Sequence, residues 1–315
     1  MRQRSLILLS SILLLLSACK KNNDHNHFNI AKESYPLPID TLFPEGIAYN
    51  TSTGHFYTGS TTSGDIIQVN VETGAANIWA SGKTQGRRAA TGLKLDQHNH
   101  LWICGGDEGK VSVVDENGTL LKMWDLKSMF GAGFVNDCIS DGVYMYFTDS
   151  RVQKIYRATI AETPSVIEEW LSFNNEQIPY DPSPTAINAN GIEITQDKSY
   201  LLVVVSSSGK LYRIALSHKT INEIPLNGSL TSGDGLVLND RQLYVSRNAL
   251  NTIVPVNLTV NYDGGSIGAG FGNDLNFNTT MVKVDRYLLT VNGQLNKRAT
   301  RTQSLPFTVS RVTIP

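Results

Sequence analysis

Cysteine is scarce in this sequence, and neither sign of charge predominates. Only three cysteines occur in 315 residues, which excludes a scaffold held together by many disulfides. The 27 basic residues nearly balance the 28 acidic ones, and the net charge is −1. No block of like charge stands out, so no nucleic-acid partner is expected. The hydrophobic share, 41%, is ample for a packed globular domain.

The apolar run at residues 6–16 is too short to span a bilayer. It follows Arg2 and Arg4 and ends in small residues before a cysteine, so residues 1–18 are predicted to be a removed signal peptide. Its end, Leu-Ser-Ala-Cys, resembles the bacterial lipobox, in which the cysteine is lipidated. We therefore expect a lipoprotein of the bacterial cell envelope, held at Cys19 on a membrane and facing the periplasm or the cell surface. The alternative is an ordinary signal peptide with an incidental cysteine.

Residues 19–34 are predicted to be a lipidated cysteine followed by a flexible tether. The stretch from 20 to 32 is polar, rich in asparagine and without periodicity. His25 and His27 form a His-x-His pair, which we interpret as part of this tether because no other metal ligand is fixed nearby.

Six short segments open with a polar residue and continue into an apolar run. They begin at Glu45, Thr91, Asn136, Asn190, Asp234 and Thr279, at intervals of 46, 45, 54, 44 and 45 residues. Three further β-rich runs, separated by turn residues, follow most of them. A period of 40–50 residues with four strands per unit is typical of a β-propeller. The sequence therefore predicts an all-β fold, a six-bladed β-propeller with four-stranded antiparallel blades.

The last repeat is one strand short at the C-terminus. Residues 35–42 read as a strand interrupted by Pro36 and Pro38, and proline in a strand indicates a sheet edge. We expect residues 35–42 to supply the outer strand of the sixth blade, so that 35–315 form one closed domain. The sequence does not define the fourth strand of the fifth blade, because residues 263–272 are rich in glycine.

Cys104 and Cys138 fall in different repeats among apolar neighbours. We expect two buried free thiols, with a disulfide as the alternative.

In a propeller the residues that open the repeats converge on the central channel. Glu45 and Asp234 would bring two carboxylates there, and Asn136 and Asn190 two amide oxygens. Oxygen ligands with two negative charges suit Ca²⁺ first, and Mg²⁺ or another divalent cation as the alternative. No histidine or cysteine opens a repeat, which argues against zinc. Taken singly, each position is also explained by turn chemistry.

The antiparallel meander returns each second strand to the face on which the first begins. This brings Asp149, Arg247 and Asn292 to the rim of the channel as candidate substrate contacts. The connection at 172–189 is long and contains three prolines. A long loop over a scaffold is often a lid, so we expect it to cover the channel mouth.

Several of these segments also match a known pattern: FPEGIAYN at 43–50, NGIEITQD at 190–197 and GDGLVLND at 233–240. They resemble the senescence marker protein/gluconolactonase/luciferin-regenerating enzyme family, which is related to calcium-dependent phosphotriesterases and paraoxonases. In that family a Glu, one or two Asn and an Asp hold a divalent cation. The resemblance implies this role for Glu45, Asn136, Asn190 and Asp234, and also implies that Asp234 is the general base or nucleophile.

The chain departs from the family at Phe134, where sugar-lactone members carry arginine. This favours a less polar substrate in contact with Phe134, with Arg247 as a possible replacement cation. The expected function is calcium-dependent hydrolysis of a lactone or other ester by a lipid-anchored monomer, with Asp234 as base. The alternative is a non-catalytic propeller that binds a ligand or protein and uses the cation only to brace the channel.

Overall fold

The computed structural model describes residues 28–315. These residues form 24 strands, numbered β1–β24 in chain order, in six four-stranded antiparallel sheets. Each innermost strand contacts the innermost strands of both neighbouring sheets, and the sixth contacts the first. The fold is therefore a closed six-bladed β-propeller, as the repeat pattern predicted.

The blades follow the chain. Blade 1 holds β2 Pro44–Asn50, β3 His55–Ser60, β4 Ile66–Asn70 and β5 Ala76–Ala80, and blade 2 holds β6 Leu93–Leu95, β7 Leu101–Cys104, β8 Lys110–Val114 and β9 Leu120–Asp125. Blade 3 holds β10 Val135–Ser140, β11 Tyr144–Asp149, β12 Lys154–Thr159 and β13 Ile167–Ser172, and blade 4 holds β14 Ala189–Ile194, β15 Tyr200–Val205, β16 Lys210–Ala215 and β17 Ile221–Ile224.

Blade 5 holds β18 Gly233–Asn239, β19 Gln242–Arg247, β20 Thr252–Leu258 and β21 Gly265–Ile267. The fourth strand that the sequence left undefined is thus the short β21. Blade 6 holds β22 Asn278–Val284, β23 Tyr287–Asn292, β24 Thr308–Thr313 and β1 Ser34–Pro36. Two short helices, α1 Gly82–Gln85 and α2 Leu126–Phe130, lie in connections between blades. No helix within residues 28–315 is long and apolar enough to cross a membrane.

The N-terminal segment closes the ring as predicted, but with a shorter strand. β1 pairs with β24, and its strand pairing ends at Pro36 rather than continuing to residue 42. One more hydrogen bond follows, from Leu37 N to Phe307 O. Pro38 has no N–H to donate, which is consistent with the strand ending here.

The C-terminal part of the predicted tether, residues 19–34, belongs to the folded domain. Ile30 is 3% exposed, and Phe28 packs against the core between blades 1 and 6. Arg311 Nη1 also donates to Ile30 O at 2.6 Å. Apolar residues at 28 and 30 are therefore part of the packed fold. The predicted signal peptide, the lipidation at Cys19 and the His25/His27 pair lie outside the described residues.

The core lies in layers between neighbouring blades. Between blades 2 and 3, for example, Trp102 stacks on Trp124 with ring centroids 5.9 Å apart and packs against Phe147 of the next blade. Cys104 and Cys138 lie in the same layer and are free and buried, as predicted.

Candidate functional site at the channel mouth

A recurrent β-bulge aims the repeat-opening side chains into the channel. The register between first and second strand shifts in five of the six blades, across residues 44–47, 135–138, 189–192, 233–236 and 278–281. A bulge locally re-aims the side chains of its strand. Glu45, Asn136, Asn190 and Asp234 each lie inside one of these bulges. All four are nearly fully buried.

In four repeats a glycine follows the residue that opens the repeat, and it allows the innermost strands to approach the axis of the channel. A Cβ on Gly46 would lie 2.0 Å from Thr91 O, and one on Gly191 would lie 2.1 Å from Asp234 O. A side chain at either position would force neighbouring blades apart. The repeated polar-Gly pair is therefore a packing requirement of the ring as well as a ligand pattern.

The four predicted ligands line one cavity of about 530 Å³ at the mouth of the channel. Phe134 also lines it, together with Phe277 and Leu295. The site thus combines a polar floor with an apolar part of the wall, an arrangement common in small-molecule sites.

The asparagine amides are oriented by serine hydroxyls from the ends of the second strands. Asn136 Nδ2 donates to Ser150 Oγ at 2.8 Å, and Asn190 Nδ2 donates to Ser206 Oγ at 3.0 Å. Because the nitrogen of Asn190 is occupied in this way, its Oδ1 is left buried without a partner among the described residues.

Asp234 shows the same feature. Its Oδ2 accepts a hydrogen bond from Asn248 Nδ2 at 3.0 Å, and its Oδ1 is buried without a partner among residues 28–315. Leaving a buried carboxylate oxygen unpaired is costly, so such an atom in a cavity points to a ligand that the cavity would hold.

The negative charge at the site is concentrated and poorly compensated. Burial, and then the charges of Asp234 and Asp137, raise the pKa of Glu45 well above its usual range, although Arg298 partly offsets this. Burial raises the pKa of Asp234 to about 6, and the amides of Asn248 and Asn190 beside it only partly offset this rise. A cation bound among these groups would favour their ionised forms and lower these pKa values again.

Asp137 is a channel carboxylate that was not predicted from the sequence. Burial raises its pKa to about 7. Its Oδ1 accepts from Cys138 N at 2.8 Å and its Oδ2 from Ile192 N at 3.4 Å. The signal was present in the sequence, because four repeats have glycine after the opener and the third has Asp137 there.

Asp149 is not among the residues that line the cavity. Its carboxylate oxygens instead accept hydrogen bonds from neighbouring residues. Its Oδ1 accepts from Phe134 N, Arg151 N and Val152 N, and its Oδ2 accepts from Gly133 N and Tyr156 Oη, at 2.8 to 3.2 Å. Contact of Asp149 with substrate therefore stays a prediction. In this structure its carboxylate fixes the loop that carries Phe134.

Arg247 and Asn292 are likewise not among the residues that line the cavity. Arg247 Nε donates to Thr231 O at 3.0 Å, and Thr231 itself lines the cavity, so Arg247 lies one residue behind the wall. Asn292 Nδ2 donates to Thr308 Oγ1 and Ser310 Oγ, and its Oδ1 accepts from Asn276 N. Contact of Arg247 and Asn292 with substrate therefore stays a prediction, since sharing a face does not decide where a side chain points.

The long loop at 173–188 contributes to one wall of the cavity at the channel mouth. Tyr180 Oη donates to Asp149 O at 2.8 Å, and Asn188 Nδ2 donates to Ser150 O at 3.1 Å. These bonds hold the loop against blade 3. They also bring Asp181 and Ile187 to the cavity, two lining residues that were not singled out from the sequence.

No group of three or more His, Cys, Asp or Glu within residues 28–315 is arranged to hold a metal. The candidate set instead joins two carboxylates with two amide oxygens. This combination suits a hard cation and not zinc.

The chain matches no family model and no curated protein, but solved structures share its fold. The major allergen Mala s 1 of Malassezia sympodialis is 15% identical with a TM-score of 0.65, covering 89% of this chain and 96% of the allergen. Regucalcin of Agrobacterium tumefaciens, a calcium-binding protein, is 13% identical with a TM-score of 0.61, over 89% and 92% of the chains. The periplasmic gluconolactonase of Pseudomonas aeruginosa is 13% identical with a TM-score of 0.56, over 79% and 78%. Six-bladed propellers of the gluconolactonase and regucalcin type are thus structural neighbours of this chain, as the resemblance of its repeats predicted, and at these identities the likeness establishes the fold.

Proposed function

We propose that this protein is a divalent-cation-dependent hydrolase that acts on a lactone or related ester, with Ca²⁺ as the expected ion and Mg²⁺ or another divalent cation as the alternative. The observation that carries the proposal is the pair of buried, unpartnered oxygens, Asn190 Oδ1 and Asp234 Oδ1, in one cavity within the described part of the chain. Both belong to residues that open a repeat.

The donor set fits such an ion. Glu45 and Asp234 would supply negative charge, and Asn136 and Asn190 would supply neutral oxygens. The serine partners of the two asparagines turn their amide nitrogens away from the ion. Partners of this kind orient ligands and commonly affect metal affinity.

When bound, the cation would polarise the substrate carbonyl and stabilise the negative charge that develops on its oxygen. Asp234 is the residue we assign as general base, which accepts a proton from the attacking water at Oδ1. Asn248 holds Oδ2 and so fixes the orientation of this carboxylate. Phe134, Ile187 and Phe277 would pack against the apolar part of the substrate and exclude bulk water.

We further propose that the protein acts as a monomer in the bacterial cell envelope, anchored through a lipid on Cys19. The gluconolactonase among its structural neighbours is described as periplasmic. Metabolic labelling with a fatty-acid analogue tests the anchor, since Cys19→Ala would abolish the label.

The activity is tested on the purified protein with a panel of lactones and esters, before and after removal of divalent cations by a chelator. We expect turnover that is lost with the chelator and restored by Ca²⁺. A protein that Ca²⁺ stabilises against heat but that hydrolyses nothing on the panel would support the alternative, a binding propeller braced by its cation.

A further inference from the structure

All the charged residues among the described lining of the cavity are acidic. Among the described residues that line it, three are carboxylates, Glu45, Asp181 and Asp234, and none is basic. A divalent cation bound as proposed would balance Glu45 and Asp234. One negative charge, that of Asp181, would then remain at the cavity wall.

Hydrogen bonds between Asn188 and the backbone of Asp181 fix the position of this residue. Asn188 Oδ1 accepts from Asp181 N at 2.8 Å, while Asn188 Nδ2 donates to Asp181 O at 3.2 Å. Its own Oδ1 accepts from Ser183 N at 2.8 Å. The carboxylate is thus presented to the cavity by a braced segment of the loop, and little ordering entropy is lost when a ligand binds it.

Arg151 is the basic side chain that shares space with Asp181, in an adjoining cleft of about 270 Å³. Its guanidinium lies over the ring of Phe134, 5.1 Å from the centroid. None of the ion pairs found among residues 28–315 includes Asp181. Asp181 is exposed, so water solvates this carboxylate when no ligand is bound.

We propose that Asp181 is a specificity-determining residue that selects substrates carrying a protonated amine and rejects anionic ones. This inference rests on the proposed hydrolase function. A cationic group of the substrate that lies against this exposed carboxylate gains a favourable Coulomb interaction, which the surrounding water weakens but does not abolish. An anionic substrate, in contrast, meets a like charge that the cation at the floor of the cavity does not balance.

Three matched esters test the proposal: 4-(aminomethyl)phenyl acetate, phenyl acetate and 4-carboxyphenyl acetate, which differ chiefly in charge. Each is assayed with the Ca²⁺-loaded wild type and with Asp181→Asn. The ratio of kcat/KM between the two proteins cancels the intrinsic reactivity of each ester. We expect the variant to lose about threefold to fivefold on the cationic ester and gain about as much on the anionic one, the usual effect of one solvent-exposed charge. The neutral ester should change less than about twofold.

Glu176→Gln is the matched control. It removes the same charge from the same loop, and Glu176 is exposed as Asp181 is but lines neither cavity. It should leave all three ratios near one. An equal change on all three esters in Asp181→Asn, or the same charge preference in Glu176→Gln, would overturn the proposal. So would a tenfold loss of Ca²⁺ affinity in Asp181→Asn, because Asp181 would then be a metal ligand.

A binding experiment distinguishes a failure of this inference from a failure of the hydrolase proposal. The product phenols 4-(aminomethyl)phenol, phenol and 4-hydroxybenzoate are titrated into the Ca²⁺-loaded protein by calorimetry, which requires no turnover. If nothing on the panel of lactones and esters is hydrolysed, the hydrolase proposal fails, yet the cationic phenol should still bind most tightly and lose that advantage in Asp181→Asn. Equal affinities for the three phenols would refute the role of Asp181.

Discussion

At the scale of single residues, the site depends on side chains that orient other side chains. Asn136 and Asn190 are equivalent members of their repeats, and each donates its amide nitrogen to a serine that follows the second strand of its blade. Asp234 is held by Asn248 in a comparable way. Asn190 Oδ1 and Asp234 Oδ1 are thus left without a partner among residues 28–315, and this makes a repeated turn motif a candidate cation site.

The first prediction tests whether Asp234 acts as the general base or only as a ligand of the cation. Asp234→Asn keeps an oxygen at the same place but removes the charge and the proton acceptor. Ca²⁺ affinity should fall, because ligand charge sets calcium affinity. At saturating Ca²⁺, kcat should stay about 10²–10⁴-fold low, the usual contribution of a positioned base. The measurement is kcat across a Ca²⁺ titration.

Glu45→Gln is the control for that experiment, since it removes the same charge without removing the proposed base. Much of its activity should return as Ca²⁺ is added. Full recovery of Asp234→Asn at high Ca²⁺ would mean that Asp234 is a ligand only.

The second prediction concerns the orientation of Asn190. Ser206→Ala removes the acceptor of its amide nitrogen, so the amide is free to turn its oxygen away from the channel. Ca²⁺ affinity should fall by about tenfold, as is typical when a partner of a ligand is lost. Ser208→Ala, at an exposed position of the same turn, is the control. Equal affinities of the two variants by calorimetry would contradict the orienting role.

At the scale of elements, buried carboxylates hold the connections that run between blades. Asp149 accepts hydrogen bonds from the backbone just before β10 and from the backbone just after β11. Glu108 binds the backbone of the connection between blades 1 and 2 in the same way. Glu108 accepts from Arg88 N at 2.7 Å and from Ala89 N at 3.2 Å, and its side chain is 3% exposed. These loops are therefore ordered by the scaffold, which keeps the channel mouth in one shape.

The third prediction follows from the pKa of Glu108. Burial raises this pKa, but hydrogen bonds from Arg88 and Ala89, together with Lys110, outweigh it and leave the pKa below its ordinary value. A lowered pKa in the folded state stabilises the fold above the ordinary pKa of glutamate, and this contribution is lost as the pH falls through the folded value. Glu108→Gln should therefore cost about 1–2 kcal/mol in the free energy of unfolding at pH 7.

Urea unfolding at pH 7 and at successively lower pH measures this effect. The gap between wild type and Glu108→Gln should narrow below the ordinary glutamate pKa of about 4.3. A gap of the same size throughout the acid range would show that the charge of Glu108 does not contribute.

At the scale of the whole molecule, the propeller is closed by a strand from the opposite end of the chain. Tyr35 is fully buried, donates through Oη to Val71 O at 2.7 Å, and packs edge-on against Phe56 at 5.3 Å. The segment at 28–37 thus joins blade 6 to blade 1. Ring closure matters for function, because Glu45 at the channel belongs to blade 1 and its backbone oxygen accepts from Thr279 Oγ1 of blade 6.

The fourth prediction tests this closure by truncation. A protein that begins at residue 37 lacks β1 and the buried side chains of Ile30 and Tyr35, so it should lose more than about 3 kcal/mol of the free energy of unfolding. A protein that begins at residue 28 keeps these contacts and should unfold like one that begins at residue 20. If the truncation to residue 37 unfolds at the same denaturant concentration, the N-terminal strand does not stabilise the ring.

The sequence by itself determined the number of blades, the order of their strands and the kinds of atoms at the channel. These follow from local patterns, since strand length and turn residues repeat every 44 to 54 positions, and the residue that opens each repeat lies at the axis. Only the tertiary structure decided that Asp149, Arg247 and Asn292 are not among the residues that line the cavity, and that Asp181 is. It also decided that Phe28 and Ile30 belong to the core. The physical reason is that a side chain's direction depends on bulges and on hydrogen-bond partners brought together from distant positions in the chain, and neither leaves a periodic trace.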